Sequence, residues 1–178
     1  MTDLAREYGE GLYELCEEEN LAKEGLQQMQ MLKSCFMEQT DFLRLLSNMA
    51  IPKEERVGII ENTLRGQVHV YVLNFLKILC ERNLLHEFSG CEDAYRSLYN
   101  QRHSILEAVA TTATPMSDEQ REKLLQKLNE MTGRSISLKE KVDAAVIGGV
   151  LLEMDGKRYD NTLRHRLEGL QSILSGNA

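Results

Sequence analysis

The segment from Lys141 to Asp160 constrains what this chain can fold into more than any other stretch. The side chains at positions 150, 152 and 154 are all apolar, so an extended segment would present one apolar face. Asp155-Gly156 follows. This dipeptide is typical of a two-residue type I′ turn, which needs positive φ at both central positions. The segment therefore predicts a β-strand that ends in a tight hairpin.

A glycine pair and an aspartate flank this strand. Gly148-Gly149 precedes it, and glycine inside a strand usually marks a bulge or a close approach of two backbones. A phosphate-binding loop does not fit, because no third glycine and no lysine follow at the required distance. Asp160 is placed to cap a final helix. The leucines of that helix recur at intervals of four, three and four residues: Leu163, Leu167, Leu170 and Leu174.

The residues before this segment predict a strand, a helix and a second strand. Ile105 to Ala113 is rich in apolar and β-branched residues and stops just before Pro115. Ser117 and Gln120 have the spacing of a capping box, which would start a helix. The stretch from 135 to 142 again looks extended. Together with the hairpin and the final helix, these elements predict a small α/β domain.

The chain begins with a predicted helix that Thr2 or Asp3 can cap. Its apolar side chains recur at a 4-4-3 spacing and therefore share one face: Leu4, Tyr8, Leu12 and Leu15. Gly9 and Gly11 lie inside this helix, where each glycine costs about 1 kcal/mol relative to alanine. The helix is therefore expected to be weak, or to pack closely against another element.

Five further helices are predicted before the composition changes. Asp41 is placed to cap the third helix, and Pro52 to occupy the first position of the fourth. The stretch from 68 to 84 is so densely apolar that it predicts a central helix buried on much of its circumference. The chain is thus predicted to be mostly α-helical. A six-helix bundle at residues 1–104 precedes the small α/β domain with its hairpin at residues 105–178.

The chain is acidic, and its negative charge is unevenly distributed along the sequence. The net charge is −7, and residues 1–104, with 11 basic and 17 acidic side chains, carry −6 of it. This balance argues against nucleic-acid binding, which depends on clustered lysine and arginine. A positively charged partner segment would suit the acidic half, although a solvated surface explains the same charges more simply.

Sequence motifs for targeting and membrane insertion are absent. No apolar run approaches the roughly 20 residues that a membrane-spanning helix needs. The N-terminus is acidic and lacks the basic start and apolar core of a signal peptide. The protein is therefore expected to stay where it is made unless a partner draws it to a membrane.

Motifs for enzymatic chemistry are equally absent. The histidines show no metal-ligand spacing, and there is no nucleophile elbow and no phosphate loop. No C-x-x-C pair exists, so reduced thiols buried in the core are expected: Cys16, Cys35, Cys80 and Cys91. No metal or cofactor is predicted. Catalytic groups can still converge from distant positions in the sequence, so a small enzyme with a composite site stays open as one alternative function.

A pattern of residues in the C-terminal region carries a family resemblance: Val142, Asp143, Ile147, Gly148, Gly149, Tyr159, Asp160, Leu163, Arg164 and Leu167. It resembles the signature of the delta subunit of rotary ATP synthases, the family of the mitochondrial oligomycin-sensitivity-conferring protein. Asn161 replaces the usual glycine, Thr162 the usual serine and His165 a small residue. A second, less specific match runs from Asn74 to Asn83. The resemblance therefore covers nearly the whole chain.

The resemblance implies a non-catalytic stator subunit of a proton-translocating complex, present in one copy. Its helical domain would receive the N-terminal segments of the alpha subunits, and its C-terminal domain would meet the distal ends of the b subunits. In that role the protein resists rotor torque. It would reach the membrane only through the complex, at the cytoplasmic face of the bacterial plasma membrane or, alternatively, at the chloroplast thylakoid. No nucleic acid and no cofactor is implied.

The same resemblance indicates a partner-binding groove between the first and fifth helices. Its candidate residues are Tyr8, Leu12, Asn74, Lys77, Ile78 and Glu81. Each has a structural alternative: Leu12 and Ile78 suit an ordinary core, whereas Lys77 and Glu81 are spaced to pair with each other in solvent. Without the resemblance, a free helical adaptor that binds an amphipathic peptide is the alternative function.

A basic cluster in the C-terminal region is a candidate contact for an acidic stalk end. Its members are Lys157, Arg158, Arg164 and Arg166. A solvated face explains the cluster more simply. The leucines of the predicted final helix are expected to pack on the small sheet rather than on a partner.

Overall fold

The computed structural model describes residues 2–146 and 148–162, with side chains described as far as Asp160. It contains two compact units, which divide between Tyr99 and Asn100. The sequence pattern predicts the domain boundary after residue 104, where the helical periodicity gives way to a strand. The described part of the chain is mostly helical and carries one small four-stranded sheet.

The first unit is built from α-helices and short turns. The helices are α1 Asp3–Glu18, α2 Ala22–Glu38, α3 Thr40–Leu46, α4 Lys53–Leu64, α5 Val70–Glu81 and α6 Phe88–Arg102. A 3₁₀ turn, Leu85–Glu87, precedes α6, and α6 runs past the division between the units. The predicted central helix at 68–84 corresponds to α5, which is shorter at both ends.

The helix starts in the first unit agree only partly with the sequence analysis. Thr2 caps α1 as predicted, because its Oγ1 accepts a hydrogen bond from the amide of Ala5 at 3.1 Å. The predicted cap at Asp41 is wrong. One residue, Gln39, separates α2 from α3, so α3 starts earlier and Asp41 lies inside its first turn. Pro52 occupies the position before α4 rather than its first helical position.

Two glycines let helices of the first unit approach closely. A Cβ at Gly9 would lie 2.8 Å from the Cβ of Ala94 and closer still to the carbonyl oxygen of Cys91, so α1 needs glycine where it meets α6. A Cβ at Gly25 would collide with the ring hydroxyl of Tyr95, which donates a hydrogen bond to the Ala22 carbonyl at 2.9 Å. The core therefore uses these positions for tight helix contacts.

Four charged side chains tie α2 to α6, and we call them the α2–α6 network: Lys33, Glu92, Asp93 and Arg96. Glu92 is fully buried, and its carboxylate lies 2.7 Å from Lys33 Nζ and 3.2 Å from Arg96 Nη1. Asp93 lies 2.8 Å from Lys33 and 2.7 Å from Arg96. Because a buried carboxylate is costly without partners, these contacts are what make Glu92 tolerable in the interior.

The network also shifts the pKa values of Lys33 and Asp93. Burial alone lowers the pKa of Lys33, but the hydrogen bonds and charges of Asp93 and Glu92 outweigh it, so the pKa is raised. Burial alone raises the pKa of Asp93, but the hydrogen bond and charge of Lys33 and the charge of Arg96 lower it below its ordinary value. Both shifts favour the charged forms.

The second unit is a mixed sheet with one helix. Its elements are β1 Ile105–Thr112, α7 Asp118–Thr132, β2 Ser135–Val142, β3 Gly149–Met154 and β4 Lys157–Thr162. The strand order is β2-β1-β3-β4, with β1 and β2 parallel and the other neighbours antiparallel. The helix α7 connects the two parallel strands. A small core holds Ala108, Leu128 and Met154, with Leu106, Leu124, Ile136, Leu138 and Leu152 packed against it.

The local signals of this unit match its structure well. Ser117 and Gln120 form the predicted capping box, and α7 ends in a left-handed Gly133. Asp155 and Gly156 have φ of 53° and 69°, so the hairpin between β3 and β4 is confirmed with the positive φ values that a type I′ turn needs.

Two of the signature residues, Asp143 and Gly149, lie around the entry to β3. Asp143 builds a turn after β2, because its carboxylate accepts from the amide of Ala145 at 2.9 Å and its own amide donates to Thr112 at 2.9 Å. Gly149 has φ of 87° and starts β3. The predicted cap at Asp160 is wrong, because Asp160 lies inside β4 and pairs with Leu151. The predicted final helix falls outside the described residues.

The cysteines are reduced in the structure, and one of them departs from the sequence analysis. Cys16, Cys80 and Cys91 are buried, and burial raises the pKa of Cys91 to about 12. Cys35 was expected in the core as well, but it is exposed. It lies on the solvent side of α2, one residue before the buried Phe36.

Candidate partner-binding groove

A groove of about 730 Å³ runs between α1 and α5, and we call it the α1–α5 groove. Both helices line it with side chains at i, i+3, i+4 and i+7 spacing, which places each set on one helix face. From α1 come Leu4, Glu7, Tyr8, Gly11, Leu12 and Leu15, and from α5 and its end Tyr71, Asn74, Phe75, Ile78 and Arg82.

Large apolar side chains are exposed in this groove. Leu4 is 39% exposed, Leu15 is 41% exposed and Ile78 is 43% exposed. They lie together with the partly buried ring of Tyr8, whereas Leu12 and Phe75 form the buried base. An exposed apolar concavity of this kind is typical of an interaction site rather than of a solvated surface.

The structure brings four of the six candidate residues into the groove: Tyr8, Leu12, Asn74 and Ile78. Lys77 and Glu81 are not among the residues that line it. Lys77 forms an ion pair with Glu61 of α4, so its ammonium group is held at a different face of α5. The expected alternative partner of Lys77 was Glu81, and the neighbouring helix supplies Glu61 instead.

Several lining residues were not among the sequence-based candidates. Leu4 and Leu15 belong to the same 4-4-3 apolar stripe as Tyr8, and that stripe was the available signal. Arg82 lies inside the helix predicted at 68–84 and four residues after Ile78, so this spacing was the available signal, although α5 ends one residue before it. Its guanidinium carbon lies 6.0 Å from the centroid of the Tyr8 ring, at the limit of a cation–π contact.

The helix α1 is strongly acidic, and Glu7 is the acidic residue that it contributes to the groove lining. The helix carries six acidic side chains and one basic side chain, a net charge of −5. The one basic residue, Arg6, lies 3.0 Å from Asp3 and is thus already compensated. A helix that docks in the groove would therefore gain from lysine or arginine on the flank that faces α1.

The described ranges hold neither a metal-binding cluster nor a membrane-spanning helix. No group of three or more His, Cys, Asp or Glu side chains there is arranged to hold a metal ion. Among the same residues, no helix combines the length and the apolar character that a membrane span requires. His69, one of the four histidines, caps α5 by accepting a hydrogen bond from the Tyr71 amide at 3.3 Å.

Comparison with known families identifies the kind of protein. The model of the ATP synthase delta (OSCP) subunit family matches residues 4–174. The chain belongs to this family. As a delta subunit it is a non-catalytic component of the ATP synthase and part of its stator, the peripheral stalk. The resemblance stated from the sequence is thereby confirmed.

Individual relatives match over nearly their full length. The ATP synthase subunit delta of Alkaliphilus oremlandii is 31% identical over 97% of this chain and 96% of its own. That of Clostridioides difficile is 27% identical over the same shares. A chain of the Toxoplasma gondii mitochondrial ATP synthase hexamer is 17% identical, with a TM-score of 0.72 over 97% of this chain and 98% of that one. At this identity the last likeness concerns the fold alone.

Proposed function

We propose that this subunit ties the catalytic head of a proton-translocating ATP synthase to its peripheral stalk. Helices α1 to α6 act as one bundle, whose α1–α5 groove receives the N-terminal segment of an alpha subunit. The second unit meets the C-terminal ends of the b subunits. The link prevents the head from turning with the rotor, in one copy per complex.

This proposal rests on one observation: several exposed apolar side chains lie together in a groove beside the acidic helix α1. Leu4, Leu15 and Ile78 offer an apolar surface at the helical spacing that an amphipathic helix can match. The acidic α1 flank adds charge selection for a partner with basic side chains. Asn74 places an exposed amide within the otherwise apolar α5 face, where it can fix the register of the bound helix.

A stator contact has to resist force rather than to catalyse. Affinity differences between related complexes lie mostly in the dissociation rate. A groove with a buried apolar base excludes water from the contact, which slows dissociation. The groove is therefore suited to a long-lived anchor.

The partner of the second unit is proposed from the family resemblance and from charge. Lys157 and Arg158 are exposed on the hairpin, and Arg158 lies 3.9 Å from Asp160. Arg164 and Arg166, the other members of the basic cluster, lie outside the described residues. An acidic end of a b subunit is the proposed partner. The complex holds the chain at the cytoplasmic face of a bacterial plasma membrane, with the thylakoid as the alternative.

Titration calorimetry tests the groove proposal. The full chain is titrated with a synthetic peptide of the alpha-subunit N-terminal segment from the same organism. A scrambled peptide of the same composition is the control. We expect saturable one-to-one binding with a micromolar or tighter Kd and a negative heat-capacity change, since apolar surface is buried. A folded sample that binds neither peptide would remove the mechanical role proposed for the groove.

The free helical adaptor is the alternative function that the sequence leaves open without the resemblance, and the family match favours the stator subunit over it. Co-purification separates the two functions. A stator subunit isolated from native membranes travels with the other ATP synthase subunits, whereas an adaptor is recovered without them.

A further inference from the structure

The two glycines inside α1 have different surroundings. Gly9 faces α6, where a Cβ would collide with the backbone of Cys91 and with Ala94. A Cβ at Gly11 would meet no atom within 4 Å apart from its chain neighbours and the adjacent backbone of α1 itself. Glycine in a helix interior is destabilising relative to alanine, so each glycine in α1 calls for a reason. Contacts inside the first unit provide one for Gly9 but not for Gly11.

Gly11 lies on the face of α1 that lines the α1–α5 groove. It sits three residues after Tyr8 and four residues before Leu15, so these two side chains are its neighbours along the groove. With no side chain of its own, Gly11 leaves a recess in the wall between them. A bound helix can bring either a side chain or its backbone closer at this point than elsewhere on α1.

We propose that Gly11 is a specificity-determining position of the groove. A large apolar side chain of the docked helix seats in the recess between Tyr8 and Leu15. This inference rests on the function proposed above and takes the alpha-subunit N-terminal segment as the occupant. The docked helix is amphipathic. Its apolar side faces Gly11 and Ile78, and its flank toward α1 carries lysine or arginine, because α1 has a net charge of −5.

The chain offers a matched control for this position. Gly58 is also a glycine inside a helix, α4, and a Cβ there would likewise meet no atom within 4 Å. Gly58 does not line the groove. Substitution at either site removes the helix penalty of glycine, but only a substitution at Gly11 fills the recess.

The test compares Gly11→Ala and Gly11→Met with Gly58→Ala and Gly58→Met in the full chain. The probe is the synthetic alpha-subunit peptide, and Kd is measured by calorimetry. Both alanine variants should raise the Tm of the first unit by about 4 °C, because alanine favours the helix. Gly11→Ala should weaken binding about threefold and Gly11→Met more than tenfold, since each methylene added to a packed contact forces a displacement. The Gly58 variants should bind as wild type does.

Three results overturn the proposal, and they differ. If wild type binds the peptide and Gly11→Met binds equally well, the recess has no role, while the groove function stands. If folded wild type does not bind the peptide, the groove function fails and the role of Gly11 fails with it. A loss of affinity in Gly58→Met equal to that in Gly11→Met would also contradict a local effect.

Discussion

Glu92 lies fully buried and paired between α2 and α6, whereas Leu15 and Ile78 lie more than 40% exposed in the α1–α5 groove. Each region reverses the usual placement of charged and apolar side chains. In the α2–α6 network the reversal is compensated within the chain, because Lys33 and Arg96 neutralise the buried carboxylate. In the groove the described residues of the first unit leave these apolar side chains partly uncovered.

The difference separates a structural feature from a functional one. A buried charge that has its partners contributes to the stability of the fold and should have no effect on a docked peptide. An exposed apolar side chain contributes little to folding and should matter when a partner covers it. Mutations in the α2–α6 network should therefore lower the free energy of unfolding, whereas mutations in the α1–α5 groove should lower the affinity for the peptide.

The largest expected effect comes from Glu92→Ala. Removing the fully buried carboxylate leaves Lys33 and Arg96 beside a vacated site, although both keep their contact with Asp93. The free energy of unfolding should fall by about 2–3 kcal/mol. The first unit holds Tyr8, Tyr13, Tyr71, Tyr95 and Tyr99, so its denaturant unfolding can be followed by the near-UV circular dichroism of tyrosine.

The exposed Glu38→Ala serves as the control for this variant and should change stability by less than about 0.5 kcal/mol. Peptide affinity, measured where Glu92→Ala is still folded, should match that of wild type. If Glu92→Ala kept the free energy of unfolding of wild type but bound the peptide poorly, the network would affect binding rather than stability, which would contradict the proposed separation of the two regions.

Local signals predicted much of the fold. The Thr2 cap, the capping box of Ser117 and Gln120 and the hairpin at Asp155-Gly156 depend on residues close in sequence, so the pattern alone determines them. The cap predicted at Asp160 failed because pairing between strands decided the outcome. Asp160 continues β4 opposite Leu151, and sequence spacing gives no information about that partner.

The candidate groove depended on longer-range contacts. The periodicity of α1 and α5 indicates which residues share a face, but not which neighbouring helix each face meets. Lys77 and Ile78 are adjacent in sequence and about 100° apart around α5. The structure turns Lys77 toward Glu61 of α4 and leaves Ile78 in the groove. Whether the groove residues bind the alpha subunit stays a prediction.

A smaller effect, confined to binding, is expected from Ile78→Ala. Its side chain lies 43% exposed in the groove, so truncation should change stability by less than about 0.5 kcal/mol. Affinity for the alpha-subunit peptide should fall about tenfold, because the covered apolar surface is lost. Val70→Ala is the matched control, since Val70 lies on the same helix, is 52% exposed and does not line the groove. Equal losses in both variants would contradict a localised site.

The smallest expected effect is a pH dependence confined to the α2–α6 network. The pKa of Asp93 is below its ordinary value, so its carboxylate stabilises the fold above the unfolded-state pKa, near 3.8. That contribution is lost as the pH falls through the folded-state pKa. Asp93→Asn should therefore be less stable than wild type at pH 7, by about 0.5 kcal/mol, since the carboxylate is 44% exposed and solvent screens it.

The difference in free energy of unfolding between wild type and Asp93→Asn should depend on pH. The gap in free energy of unfolding narrows below about pH 4, because wild type then loses the contribution that the variant lacks throughout. Asp41→Asn is the control, because its carboxylate is 95% exposed and lies 3.4 Å from Arg44. Peptide affinity should not follow this titration, since Asp93 does not line the groove. If affinity instead followed the protonation of Asp93, the network and the groove would be coupled.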